Sequence, residues 1–471
     1  MNKAGYQAHQ KTCTTILVGK NATIDGSTMI ARNEDGGDQP NPQKFVVYPA
    51  NAASTTYESG ANHVKIPLPG NSLRYTATPD ADDSFGVWAG AGINSENVAM
   101  TATETSTTNT HVLAADPLTD DGIGEADITT LVLPYIKSAR EGVVRLGELL
   151  TEYGTYESNG IAFSDHDEVW YFESIGGHHW VAIRIPDDAF VVAPNRFNID
   201  YFDFNSNDTM SSADLEQFIA DHHLNPDIDE TTVNLRHIFG SATDKDRIYN
   251  NPRAWYVHQL FAKDSENEQP EDQDLPFIVY PKKKLSIDDV KFALSSHYQG
   301  TTFDPYDHVE KPIKYRPIGI NRNQESHILQ IRPNVPADIA GVHWLGYGPN
   351  TFNAFVPFYV SVSATPASFE KTTPTFDVST SYWLTRVIAV IADKDFLTYQ
   401  DMQARFEQQI VADNVRLQQQ TDNAIQLGQT VDLEAVNQKM ADNYMQAANT
   451  LLGQMTILGT KKMHLRFSVA D

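Results

Sequence analysis

One residue stands apart on chemical grounds. Cys13 is the single cysteine of 471 residues, and it opens the run "CTTILVGKNATIDGSTMIARNEDG". A thiolate is a strong nucleophile, and a nearby cation favours it by lowering the thiol pKa below its reference of about 8.5. Arg32 and Asp35 close the same run. Between them and Cys13 the residues read as a hairpin. Thr14 to Gly19 is β-branched and strand-like, Asn21 and Asp25-Gly26 are turn residues, and Ser27 to Asn33 reads as a second strand. With Val18 opposite Ser27, Cys13 faces Arg32, at a Cβ separation of about 5 Å. Asp35 then lies just past the strand, placed to orient Arg32 or the groups around the thiol. A slip of two residues leaves a diagonal contact, and a slip of one puts the two side chains on opposite faces. Two plainer readings stay open. Arg32, Glu34 and Asp35 form an exposed salt-bridged turn, or Cys13 is a small buried hydrophobe.

A cysteine nucleophile needs a base. Fifteen histidines offer too many pairings to choose from by spacing. The chain itself offers another base. A chain beginning at Cys13 would carry its α-amine beside the thiol, with a pKa of about 7.7 to 8.0. Such an amine takes the thiol proton and later hands it to the leaving amine. This arrangement needs no histidine and no metal. It requires scission between Thr12 and Cys13, which makes residues 1–12 a leader.

Other motifs are weaker. His178 and His179 are adjacent, so in a strand they point to opposite faces and chelate poorly. Asp165, His166 and Asp167 read as a charged turn. No zinc or calcium spacing, G-x-S-x-G elbow, Walker A or dinucleotide fingerprint is present. Trp170, Trp180, Trp255 and Trp344 read as core.

The elements that must position Cys13 come from the rest of the chain. Phe85 to Ser106 reads as two strands around "NSEN". Ala126 to Gly154 is helical, with Asp127 as N-cap, a break at Pro134 and Gly154 as C-cap. Gly160 to Ile199 has apolar runs separated by Asp-His-Asp, Gly-Gly and Pro-Asp-Asp turns, the pattern of an antiparallel meander. Short helices are expected in "SSADLEQFIADHH" and "SIDDVKFALSSHY", and strands return from Ser326 to Val362. From Tyr399 to Leu452 apolar residues recur at helical spacing, as in Met402, Phe406 and Ile410. Apolar residues make up 41% of the chain and charged residues 20%, which suits a folded protein with a large core. The formal charge of −26 repels phosphate backbones and anionic lipid, so neither nucleic acid nor membrane is an expected partner. No apolar run is long enough to span a bilayer, and a polar start without an apolar signal core makes a cytoplasmic address the expectation.

The run from Cys13 strongly resembles the start of dipeptidase A-type cysteine peptidases of the N-terminal nucleophile (Ntn) hydrolase superfamily, relatives of secernins and choloylglycine hydrolases. The resemblance continues through "GINSENVAMTATET", "DEVWYFESIGGHHWVAIRIPDD", "YNNPRAWYV" and "ESHILQIRP". It implies an α+β fold, a four-layer αββα sandwich with two antiparallel sheets plus C-terminal helices. It divides the chain into a leader (1–12), a catalytic domain (13–395), and a helical element ending in a short strand (396–471), packed on the same domain. It implies Cys13 as nucleophile, its freed amine as base, and Arg32 and Asp35 as its partners. Asn195, in "VVAPNRFNI", becomes the oxyanion donor. Arg253 becomes a later active-site arginine, with Arg247 as competitor. Glu104 stands where distant relatives carry an asparagine. An ionised carboxylate only accepts hydrogen bonds, so Glu104 is expected to bind a substrate's α-ammonium instead. The expected activity is cofactor-free hydrolysis of dipeptides, by a protein that is compatible with homo-oligomer formation. The alternatives are an amidase of non-peptide amides on the same fold, and a non-catalytic secernin-like binding protein.

Overall fold

The β-branched residues after Cys13 form the strand expected of them, slightly longer than the sequence suggests. β1 runs Thr12–Val18 and β2 Thr28–Asp35. In this computed structural model the described residues are 12–37, 39–228, 233–307, 312–465 and 467, with backbone alone for Thr103 and Glu104. The two strands join β12 (Phe190–Ala193), β14 (Ile278–Val279), β15 (Asn323–Ile331), β16 (Gly341–Tyr347) and β17 (Val356–Tyr359) in one antiparallel sheet. Its spatial order is β14-β12-β1-β2-β15-β16-β17. A second antiparallel sheet contains β3 (Val46–Tyr48), β6 (Tyr75–Pro79), β7 (Ala89–Asn94), β8 (Ala99–Thr105), β9 (Asn159–Ser164), β10 (Val169–Ser174), β11 (Trp180–Ile185) and β13 (Thr209–Ser211). β4 (Thr55–Glu58) and β5 (Lys65–Leu68) form a separate ribbon.

Side-chain alternation along these strands builds the layers. Leu17, Ile30 and Val191 from the first sheet meet Ile93, Ala162 and Tyr171 from the second, so the two sheets pack face to face. On the opposite face of the first sheet, Ile16, Ala31 and Val192 pack against Ala254 and Val257 of the helix Asn251–Phe261 and Val290 of the helix Ile287–Leu294. On the outer face of the second, Met100, Phe163 and Phe172 pack against Leu131 and Val143 of the helices Glu125–Val132 and Ala139–Tyr153. The result is the helix–sheet–sheet–helix sandwich expected from the resemblance. Each large apolar side chain so buried contributes about 1.5–3 kcal/mol.

Three local expectations need correction. Asp127 is not the N-cap of its helix; that position is Gly124, and Asp127 reaches back to accept the Gly124 N–H at 3.1 Å. The meander holds from β9 to β11 but not beyond. Pro186 to Asp188 carries the chain across to the first sheet, where β12 pairs with β1. Val18 pairs with Met29 rather than Ser27. Ser27 stays in the loop because Asp25 accepts its N–H at 3.1 Å and its hydroxyl at 2.6 Å, while its carbonyl accepts the Thr23 hydroxyl. The register is therefore two residues from the expected one.

Gly154, with φ +70°, does end its helix as expected. The late apolar periodicity forms two long helices, Phe396–Gln426 and Leu433–Lys461, that bury Phe406, Ile410, Met440 and Tyr444. They share a core with Leu345 of β16 and Val356 of β17. The terminal strand expected after them falls largely outside the described residues.

Candidate active site

The observed register places Glu34, not Arg32, directly opposite Cys13. Arg32 faces Thr15, two positions along the same side of the sheet, and reaches the thiol diagonally. It donates from Nη1 to Cys13 Sγ at 2.9 Å. Its Nη2 donates to Glu34 Oε2 and to the carbonyls of Gly90 and Ala102, both at 2.7 Å, and its Nε donates to Thr101 Oγ1 at 2.7 Å. Cys13, Arg32 and Glu34 are all buried between the two sheets. Burial opposes the charge on Arg32; Glu34, then Cys13, Glu125 and Glu325, outweigh it and raise the guanidinium pKa. Glu34 also accepts from Gln43 Nε2 at 2.7 Å.

Asp35 does not touch Arg32. It follows Glu34 in the strand, so its side chain faces the opposite side. It pairs with Thr12 and accepts from Arg316 Nη2 at 2.5 Å and Asn323 Nδ2 at 3.0 Å. Asp35 thus sits across from the Thr12–Cys13 peptide.

Arg253 lies on that helix-facing side. It donates to the Cys13 carbonyl, to Thr14 Oγ1 at 2.8 Å, and to Asn195 Oδ1 at 3.0 Å. Arg247, the competitor, is half-exposed and pairs with Asp244 at 3.2 Å. Asn195 follows β12, which runs antiparallel to β1 with Thr15 opposite Ala193; continuing that register by two residues brings Asn195 opposite Cys13. Its Nδ2 donates to the Thr105 carbonyl at 3.2 Å. The turn that carries it is anchored by buried Glu173, which accepts the Asn198 N–H at 2.6 Å; burial pushes this carboxyl up to about 7 against those donors. Glu104 lies on β8 with Gly160 opposite, and its side chain lies outside what the structure describes.

Of the weaker candidates, Asp165 spends its carboxylate on the backbone N–H groups of Ala139, Asp167 and Glu168. His178 and His179 lie in a turn before β11 and both approach Asp116, at 3.5 and 2.7 Å.

Glu34, read from the sequence only as part of an exposed salt-bridged turn, is buried with Arg32 and Asp35, and Thr101, Gln43 and His327 were missed. The place of Glu34 was accessible, since residues two apart in a strand share a face. The others come from separate strands or loops, and only the fold brings them together.

The site sits at the end of a strand that begins at Thr12, and a family model described as peptidase family C69 matches residues 12–409. The chain belongs to that family. Several relatives match the chain over nearly their whole lengths. The C69 peptidase is 50% identical over 467 residues to a probable dipeptidase B of Lactococcus lactis, covering 98% of each chain. It is 49% identical over 476 residues to a dipeptidase A of Lactobacillus helveticus, covering 98% of this chain and 100% of that one. A dipeptidase of Bifidobacterium longum is 44% identical, over 93% of this chain and 87% of its own. Among solved structures, penicillin V acylase from Agrobacterium tumefaciens matches 79% of the chain at 13% identity, with a TM-score of 0.33, too loose to bear on function.

Proposed function

We propose that the peptidase hydrolyses dipeptides with a free amino terminus, using Cys13 as nucleophile and its own α-amine, freed by scission of Thr12–Cys13, as base. The observation that carries this reading is the Arg32 Nη1 contact to Cys13 Sγ at 2.9 Å, between buried strands. A guanidinium held there favours thiolate over thiol. The amine takes the thiol proton, and the thiolate attacks the peptide carbonyl. Asn195 donates to the oxyanion, a role its place opposite Cys13 supports. The first amine leaves with the proton. Water, deprotonated by the same α-amine, then cleaves the thioester and releases the acid. Asp35, across from Thr12, orients the new ammonium, and Arg253 fixes the Cys13 carbonyl relative to Asn195. Glu104 receives the substrate's α-ammonium. A cytoplasmic address, with dipeptides rather than nucleic acid or membrane as partners, completes the reading.

The test joins intact mass, N-terminal sequencing and a dipeptide assay. The expected product begins at Cys13 and cleaves free dipeptides, while Cys13→Ala abolishes cleavage. Glu104→Gln is expected to raise KM for free dipeptides and leave N-acylated ones unaffected. A protein processed at Cys13 that cleaves no dipeptide overturns the reading. Turnover of non-peptide amides alone would make it an amidase, and no turnover of either would favour a binding role.

A further inference from the structure

Arg32 can act on the thiol only if its guanidinium plane is held, and a chain of three side chains holds the Nε edge. Thr101 on β8 accepts from Arg32 Nε at 2.7 Å. Its Oγ1 lies 2.9 Å from His327 Nε2, and His327 Nδ1 lies 2.9 and 3.0 Å from the two carboxylate oxygens of Glu325. His327 is directly opposite Arg32, and Glu325 opposite Glu34, in the β2–β15 pairing. All four side chains are buried. The charged and titratable groups facing this cluster are Glu34 from β2, Cys13 from β1, Glu125 from the helix Glu125–Val132, and His343 and Tyr347 from β16, the last directly opposite Glu325.

Burial, then the Arg32 charge, hold the His327 imidazole well below its ordinary range, with Glu34 pulling the other way. It is therefore neutral, with one N–H and one lone pair. A carboxylate at Nδ1 can only accept, so the proton sits on Nδ1 and Nε2 must accept. The Thr101 hydroxyl lies 3.4 Å from the Gly90 carbonyl and 2.9 Å from His327 Nε2; it gives its one proton to the nearer acceptor and turns its lone pairs to Arg32. Donors then run in one direction, from Arg32 Nε through Thr101 and His327 to Glu325. A buried Glu–His pair is costly as mere packing, since apolar residues of similar volume fill such space at no desolvation penalty.

We propose that Thr101, His327 and Glu325 are positioning residues, which lock the Arg32 guanidinium so that Nη1 meets Cys13 Sγ. The inference rests on Cys13 as the nucleophile, but its readout, the thiol titration, needs no turnover. It therefore fails separately from the dipeptidase reading.

Full-length protein labelled with 13Cβ-cysteine gives one resonance, because the chain has one cysteine. Its titration midpoint is compared in the wild type, Thr101→Val, Thr101→Ser and His327→Gln. Thr101→Val and His327→Gln are expected to raise the midpoint by about one pH unit, and Thr101→Ser, which keeps the hydroxyl, by a few tenths at most. Wild-type midpoints in both Thr101→Val and His327→Gln overturn the proposal. So does a Thr101→Ser midpoint displaced as far as that of Thr101→Val. A further measurement needs no variant. The 15N shifts of His327 in the wild type must show a neutral ring protonated at Nδ1, and a ring protonated at Nε2 overturns the proposed direction of donation.

Discussion

Tyr249 shows how strongly single residues are tuned on the helix-facing side of the site. Burial pushes its phenol up, but Arg316 and Arg253 outweigh this and bring it down to about 7. Both guanidiniums lie over its ring, at 5.0 and 5.2 Å, and Arg322 donates to its hydroxyl at 3.0 Å. An unfolded tyrosine titrates near pH 10. The folded protein therefore releases this proton first, and the unfolded state binds more protons between about pH 7 and 10. Stability from this group is complete above about pH 10 and is lost as pH falls through about 7. Two outcomes follow for Tyr249→Phe. The ultraviolet difference titration loses one tyrosinate step near neutral pH. Denaturant unfolding loses a gain of about 1 kcal/mol per pH unit across that window. A wild type with no tyrosinate forming below pH 9 would contradict both.

At the scale of elements, the strands around the thiol were legible in the sequence, while those between Val46 and Pro79, the short β13 and β14, and strand register were not. β1, β2, β7 and β8 announce themselves by β-branched and small residues between turn residues. What shifted the first hairpin was Asp25 holding Ser27 in the loop, a local contest between side chain and ladder that periodicity does not register. The shift was by two, so Cys13 and Arg32 stayed on one face and still met. The partners on β8 and β15 were not legible, because no local pattern states which distant strand lies opposite. One signal was present, however. "AGAGIN" makes β7 a strand of small residues, and glycine inside a strand often marks a close approach. At Gly90 that approach is the Arg32–Glu34 pair. A Cβ there would collide with the Glu34 carboxylate and lie 2.7 Å from Arg32 Nη2. Gly90→Ala is expected to displace the pair, costing at least tenfold in kcat/KM and about 1–3 kcal/mol of stability from overpacking. Steady-state kinetics and thermal unfolding measure the two, and wild-type values for both would mean that β7 does not confine Arg32.

At the scale of the molecule, the question is whether the two C-terminal helices are an appendage or part of the fold that carries Cys13. The family match ends at residue 409, inside the helix Phe396–Gln426, so it does not mark a structural boundary. Packing gives a clearer sign. Phe406, Ile410, Met440, Ala448 and Leu451 share one buried core with Leu345, Val356 and Phe358 of β16 and β17. Asn437 exchanges hydrogen bonds with the Tyr359 backbone at both ends of its amide, at 2.8 and 3.0 Å. Arg332, just past β15, donates to Asp422 Oδ2 at 2.5 Å. β15 in turn pairs with β2 along its length and carries His327. Removing residues 396–471 would uncover β17 and leave the helix Ser381–Lys394 as cover for β16, and each uncovered large side chain forfeits about 1.5–3 kcal/mol. Several such losses exceed the whole stability of an ordinary domain, about 5–15 kcal/mol. Truncation after residue 395 is therefore expected to yield aggregated or unfolded protein. Size-exclusion chromatography and thermal unfolding decide the matter. A monomeric truncated chain with a cooperative transition would show that the sandwich stands without its helices.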